Sequence, residues 1–212
     1  ADLLRRVMDE IDAEELAQRN RTVGEPLTDV AYQFKLALKG SDPPIWRRVL
    51  VPDVTLLEFS DIILTAMGWE FQHLWAFTID KAHYALDEAD ELAEAWRISD
   101  LIPPDSRQKP RWEYVYDFGD YWRHEIRLEK ILPRTDETVL PACLAGGQAC
   151  PPEDVGGLWG YYEFLDRGGR YEYEDEYDDD DDDSSSGFDP DAFDLEAVNA
   201  RLRPIPERKR RR

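Results

Sequence analysis

Apolar and polar residues alternate where the chain first shows a regular pattern. Tyr32-Gln-Phe-Lys-Leu-Ala-Leu-Lys39 predicts a half-buried strand, Gly40-Ser-Asp-Pro-Pro44 a turn, and Ile45–Val51 an antiparallel partner. The period then lengthens. Thr55 followed by Glu58 matches a capping box, and Leu56, Phe59, Ile62, Ile63 and Ala66 form the buried stripe of a helix running to about Met67. Gly68 suits the left-handed stop of that helix. Leu74–Ile79 and His83–Leu86 predict another strand pair, and 87–110 an acidic, proline-containing loop with a short helix near Leu92–Trp96. Strict alternation returns in Arg111–Tyr116 and Trp122–Leu132, on either side of Asp117-Phe-Gly-Asp-Tyr121, which predicts a hairpin. This order implies an α+β fold: a mainly antiparallel sheet with one principal helix packed on a face. A β-grasp-like arrangement is one topology that fits.

The flanks are less regular. Leu3, Leu4, Val7, Met8, Ile11 and Leu16 recur at near-helical spacing, predicting an amino-terminal helical arm over 1–28 that docks on the domain or on a partner. The core domain is expected to span 29–166. After Pro133 its pattern fades into a cysteine-containing loop, followed by a short helix at about Gly160–Leu165. Residues 167–187, with six consecutive Asp, are too polar to build a core and predict an acidic low-complexity linker. A docking helix is expected over 188–204, beginning at Asp189-Pro-Asp-Ala-Phe193 and carrying Phe193, Leu195, Val198 and Leu202. A basic tail covers 205–212.

Charge sharpens this division. Of the net −21, residues 171–200 carry −14 and 201–212 carry +6, which leaves −13 on residues 1–170. Such a surface repels nucleic-acid phosphates at long range, so direct nucleic-acid binding is disfavoured without a local basic patch. Arg47, Arg48, Arg123 and Arg127 form the candidate patch, and an accessory role in DNA transactions needs all of them on one exposed face. No apolar run is long enough to span a bilayer, and the amino end shows no charged-then-apolar signal segment. With only two cysteines, the expectation is a cytoplasmic protein.

Candidate chemistry concentrates in Asp117–His124 and Cys143–Gly157. Cys143, Cys150, His124 and His73 would suit zinc if the fold brought them together, although the six-residue gap between the cysteines is not the usual knuckle spacing. A disulfide, or two small residues pinning a loop, are the other readings of the cysteine pair. His124, Asp117 and Asp120 are the residues available for acid–base work. Asp and Gly at a hairpin tip also serve the turn itself, and Glu153 or Asp154 is placed to orient the His124 ring. Pro151-Pro-Glu-Asp-Val-Gly-Gly157 lacks the Lys and Ser/Thr of a phosphate loop and predicts a rigid turn in which the glycines let Trp159 pack closely. The hairpin tip and the cysteine loop are expected to meet. The surface they form is assigned to Trp122, Tyr121, Arg123, Trp159, Glu153 and Asp154, for a protein or peptide partner.

Several strings in this region resemble one family. Asp117-Phe-Gly-Asp-x-Trp-x-His124, Cys143-Leu-Ala-Gly-x-x-Ala-Cys-Pro-Pro-Glu-Asp-x-Gly-Gly-x-Trp-Gly-Tyr161 and Phe188-Asp-Pro-Asp-Ala-Phe-Asp-Leu195 are similar to the plasmid pRiA4b ORF-3-like proteins, as are Met67-Gly-Trp69 and the Tyr32–Trp46 hairpin. The resemblance covers roughly residues 30–202 and implies a plasmid- or transposon-associated bacterial protein without an established activity. Some members carry a resolvase-like label, but this chain lacks the amino-terminal Arg-rich motif that a serine recombinase needs around its nucleophile. Where the family commonly has His-Leu-His, this chain has His73-Leu74-Trp75. A metal site relying on the second histidine would therefore lack a ligand. The resulting expectation is a non-enzymatic binding module. A Cys/His metal-dependent or thiol-based enzyme centred on Cys143, Cys150 and His124 is the alternative.

Overall fold

A computed structural model describes residues 25–86, 91–102, 109–135, 137–169 and 187–203. Most of the expected amino-terminal arm, most of the acidic linker and the basic tail lie outside the described residues. Along the chain run β1 (Val30–Leu38), β2 (Trp46–Pro52), α1 (Leu56–Met67), β3 (Trp75–Ile79), β4 (Ala82–Ala85) and β5 (Glu91–Leu92). A 3-10 turn (Ile98–Leu101), β6 (Arg111–Tyr116), β7 (Trp122–Pro133), β8 (Ala142–Gly147), α2 (Gly157–Asp166) and α3 (Leu195–Leu202) follow. The strands form one sheet in the order β5-β4-β3-β6-β7-β1-β2-β8. Every neighbouring pair is antiparallel except the short β4–β5 contact, so the fold is α+β.

Alternation decides which face of the sheet is buried. Phe34, Leu36, Val49, Phe77, Trp112, Tyr114, Ile126 and Leu128 all point inward, and α1 lies against them. Its Phe59 ring packs on Phe34 at 4.9 Å, on Phe77 at 5.9 Å and edge-on to Trp112 at 6.4 Å. Ser60 and Tyr114 share a buried hydrogen bond of 2.8 Å. The capping box forms as expected: Thr55 Oγ1 accepts from the Glu58 N–H, and the Glu58 carboxylate accepts from the Thr55 N–H. Gly68 ends the helix at φ 117°. The outer face is polar, and its bases are drawn into ion pairs. Arg48 makes a two-pronged contact with Glu129, at 2.6 and 3.0 Å, and Arg123 and Lys39 share Glu113.

Three elements differ from expectation. The short helix near Leu92–Trp96 does not form. Instead the carbonyls of Ala93 and Trp96 accept from the Leu57 and Leu56 N–H groups, and the Ala93 N–H reaches back to Ala85. The segment serves the donors that the first turn of α1 leaves unpaired. The expected cysteine loop begins as a strand, β8, which pairs with β2 at the sheet edge. Glycine is a poor strand former, but here it makes room: a Cβ on Gly146 would meet the Phe193 ring at 2.5 Å, and one on Gly147 the Trp46 indole at 2.9 Å.

The third is the carboxy-terminal helix, which starts at Leu195 rather than Asp189, capped by Asp194 Oδ1 accepting from Ala197 N–H at 2.9 Å. Val198 and Leu202 are buried as expected, whereas Leu195 is exposed. The helix packs on α1 and β8. Asn199 holds the edge strand as a further strand would: its side-chain oxygen accepts from Cys143 N–H and its amide donates to Cys143 O, both at 2.9 Å. That contact occupies backbone groups that an edge would leave open. Replacing Asn199 by Ala leaves two part-buried backbone groups unpaired and is expected to cost about 1–3 kcal/mol in urea unfolding; a cost below roughly 0.5 kcal/mol would show that the bonds contribute nothing.

Candidate functional site

The 117–121 hairpin tip is built by its own backbone. Asp117 and Tyr121 take positive φ, 57° and 59°, while Asp117 Oδ1 accepts from Gly119 N–H at 2.8 Å and Asp117 O from Tyr121 N–H at 2.7 Å. Asp117 N–H donates to Leu74 O at 2.8 Å, fastening the tip to the segment that enters β3. The segment after the cysteines packs on the other side. Gly156 N–H donates to Asp120 Oδ2 at 3.1 Å. Gly157 has φ 67°, and a Cβ there would lie 2.3 Å from Asp120 O. The glycines therefore admit the hairpin backbone, not Trp159 as expected; Trp159 is 75% exposed. Hairpin tip and cysteine segment do meet.

Where they meet, carboxylates gather around His73. Its Nε2 lies 3.1 Å from Asp154 Oδ1, 3.8 Å from Asp117 Oδ2 and 3.9 Å from Glu153 Oε2. Asp117 is buried and Glu153 half-buried, while Asp154, at φ 55°, is exposed. Tyr116 Oη donates to Glu153 Oε1 at 3.1 Å and accepts from Gln72 N–H at 3.2 Å. Burial, and then the Glu153 charge, push the Tyr116 hydroxyl up to about 12, which keeps it a donor. Glu153 Oε1 also accepts from Glu70 N–H at 2.8 Å. Around the cluster, Phe71, Leu74, Phe118, Tyr121 and Trp159 are exposed.

The other expected site residues lie elsewhere or play other parts. Trp122, assigned to the binding surface, is in the core. Arg123, assigned to the same surface, is exposed on the outer face of the sheet and pairs with Glu113. His124 is fully buried between Trp69 at 5.3 Å and Tyr114 at 5.7 Å, and neither ring nitrogen has a hydrogen-bond partner. Glu153 and Asp154 therefore do not orient it; they face His73. Asp117 is likewise at His73 and Asp120 at Gly156, so the acid–base set with His124 does not assemble. Among the described residues, the His/Cys/Asp/Glu group whose donors converge is His73, Asp117 and Asp154, not the expected Cys143, Cys150, His124 and His73. The two thiols are not joined in a disulfide, and burial pushes both up, so they stay protonated and act as packing groups.

Arg47 leaves the expected basic patch. It is buried against the end of α1, donating from Nε to Ala66 O at 3.1 Å and from Nη1 to Trp46 O and Gly147 O, with its guanidinium 4.7 Å from the Phe193 ring. Arg48, Arg123 and Arg127 remain on the outer face, beside Glu129 and Glu113. Phe71, Leu74 and Phe118 are surface residues that were not among the expected ones. Phe71 and Phe118 lie in turns outside the alternating runs, which was an available signal, whereas Leu74 was expected to open the strand that begins at Trp75.

Burial pulls the His124 imidazole down to about 4, because the apolar surroundings penalise its charged form. A histidine held below its ordinary value is neutral in the folded chain but takes up a proton when unfolded. Its contribution to stability is therefore complete above about pH 6.5 and declines as pH falls toward 4. In a His124→Leu variant, the loss of unfolding free energy between pH 7 and pH 5 is expected to be smaller than in the parent by about 2 kcal/mol. Equal losses in denaturant titrations at both pH values would refute this.

Comparison with known proteins places this architecture. The family described as plasmid pRiA4b ORF-3-like protein matches residues 30–197. The uncharacterized protein y4hQ of Sinorhizobium fredii is 32% identical over 171 residues, covering 79% of this chain and 88% of that protein. A crystal structure of the protein of unknown function MM3350 from Methanosarcina mazei superposes with a TM-score of 0.66 at 36% identity, covering 80% of this chain and 98% of that one. No described helix is long and apolar enough to cross a membrane. On the extent of the family match and of these relatives, the chain belongs to the plasmid pRiA4b ORF-3-like protein family.

Proposed function

We propose that the chain is a non-enzymatic binding module, and that its recognition surface is the corner formed by the 117–124 hairpin, the segment before β3 and the 143–161 segment. The observation that carries this reading is the placement of the exposed aromatic side chains: among the described residues Phe71, Phe118, Tyr121 and Trp159 all lie here, whereas exposed aliphatics such as Leu86, Val139 and Leu144 lie elsewhere. Leu74 at 65%, Phe118 at 52%, Tyr121 at 55% and Trp159 at 75% exposure, with Phe71, sit on the three segments that converge here. Apolar side chains concentrated on one region of a polar surface mark an interaction site more often than scattered ones do. Aromatic residues in particular anchor protein interfaces.

The chemistry of the corner selects the partner class. Glu70, Asp117, Asp120, Glu153 and Asp154 surround the rim, and among the described residues no Lys or Arg pairs with Asp117, Glu153 or Asp154. A protein segment or peptide with an apolar anchor next to a Lys or Arg complements both features. The anchor packs on Trp159 and Tyr121, and the cation meets Glu70, Asp120 or an aromatic face. Nucleic acid fits less well, since the corner is acidic and the bases of the outer sheet face are shared with Glu113 and Glu129.

Selection of a random peptide display library on the purified chain tests this. The expected consensus combines an aromatic or aliphatic residue with a neighbouring base, and binding of the consensus peptide weakens as salt rises. Trp159→Ala is expected to reduce its affinity by about 2 kcal/mol, roughly thirtyfold. Absence of any enriched peptide, or a consensus bound equally well by Trp159→Ala and Tyr121→Ala, would overturn the proposal.

A further inference from the structure

We infer that His73, Asp117 and Asp154 form a binding site for a divalent first-row transition-metal ion at the base of the rim, with Glu153 as an adjacent fourth donor. This rests on the corner being the functional surface, and it names the inorganic ligand that would hold that surface together.

The first support is geometric. One donor atom from each of His73, Asp117 and Asp154 lies within 4.8 Å of the other two. Donors about 2.1 Å from a common ion stand roughly 3.0–3.5 Å apart in octahedral or tetrahedral arrangements. The 3.1 and 3.8 Å separations from His73 Nε2 to the two aspartates lie close to that interval. Small side-chain rotations would complete it, and Asp154, on the exposed side, has the freedom to make them.

The second support is independent of the carboxylates' proximity to one another. The His73 side chain is 26% exposed, but its Nε2 is shut off from solvent and forms no well-aligned hydrogen bond, although Asp154 Oδ1 lies 3.1 Å away and two further carboxylates approach it. A ring nitrogen sealed among acids yet not aligned to donate to any of them is disposed as a ligand rather than as a proton donor. The acids are held in a matching way. Asp117 commits Oδ1 to Gly119 N–H and turns Oδ2 to His73; Glu153 commits Oε1 to Tyr116 Oη and Glu70 N–H and turns Oε2 to His73. Such outer contacts orient metal ligands. Charge points the same way: three carboxylates, one of them buried, converge without a Lys or Arg among the described residues. A dication would offset that crowding.

One imidazole with two or three carboxylates suits Mn²⁺, Fe²⁺ or Zn²⁺ better than Mg²⁺ or Ca²⁺, which prefer all-oxygen shells. The ligands come from the segment before β3, the hairpin tip and the stretch after Cys150. An ion there would tie together the three segments that carry Phe71, Leu74, Phe118, Tyr121 and Trp159.

The test uses the tag-free 212-residue chain stripped with chelator and titrated with Mn²⁺ and Zn²⁺ by calorimetry, with stoichiometry from elemental analysis after dialysis. One tight equivalent is expected, unaffected by excess Mg²⁺ or Ca²⁺. His73→Ala and Asp154→Asn should each weaken it by more than the roughly 10–100-fold that outer contacts contribute, and Tyr116→Phe by about tenfold. Cys143→Ser should leave it unchanged. Asp154 is exposed, so its variant reports on binding even if His73→Ala folds poorly. Metal uptake equal in the parent, His73→Ala and Asp154→Asn, or lost instead in Cys143→Ser, would overturn the site. Peptide binding that survives in Asp154→Asn while metal uptake never appears would sink the ion and leave the recognition surface standing; the reverse pattern would sink the surface alone.

Discussion

A single twelve-residue helix has to cover one face of an eight-stranded sheet, and the rest of the structure follows from that mismatch. At the usual spacings, α1 is about 18 Å long and 10 Å across, while eight strands span roughly 34 Å. The aromatic layer of Phe34, Phe59, Phe77, Trp112 and Tyr114 uses α1 fully. Beyond its end lie Trp122 and His124, and burying them falls to irregular chain. Trp69, immediately after the helix, covers both rings at 5.8 and 5.3 Å, and its indole N–H is taken up by Pro151 O at 3.1 Å. The cysteine segment is therefore drawn over the sheet as a lid on the core. The corner where it meets the 117–121 tip is a consequence of that coverage.

Arg47 fastens the same lid from the opposite side. A guanidinium is costly to bury unless its donors are satisfied, and here they bind the Ala66 carbonyl at the end of α1 and the Trp46 and Gly147 carbonyls of β2 and β8. Its flat face also carries Phe193, so helix end, edge strand and the approach to α3 converge on one side chain. The favourable end of the α1 dipole adds to this. The buried thiols beside Arg47 belong to the same packing unit, which explains why two cysteines and an arginine can sit together without forming a reactive centre.

Much of this was legible from alternation alone. Trp122, His124, Ile126 and Leu128 share one parity, so the rule that buried Ile126 also buried Trp122 and His124. Arg47 shares parity with Val49 and Val51 in the same way. Assigning Trp122 and Arg47 to the surface let residue chemistry outweigh period, and period was the better guide. At the site, His73, Asp117, Glu153 and Asp154 were each visible as candidates, but in different roles and with different companions. They are distant along the chain, and nothing in their spacing links the segment before β3 to the stretch after Cys150. The β8 strand was hidden for a local reason: Gly146 and Gly147 weaken the strand signal because their missing side chains make way for Phe193 and Trp46.

Local rules acting over a few residues determined the strands, the capped helix, the 111–132 hairpin and hence an antiparallel α+β architecture, because period, capping and turn chemistry are short-range properties. The motif strings were enough to indicate the family. The tertiary structure alone decided that His73 is the imidazole that meets the acids, because that depends on which segment crosses the uncovered sheet. It also decided that the glycines after Asp154 serve the hairpin backbone rather than Trp159. Close approach of Asp120 to Gly157 is a contact between segments far apart in sequence, and it exists only once the sheet has brought them together.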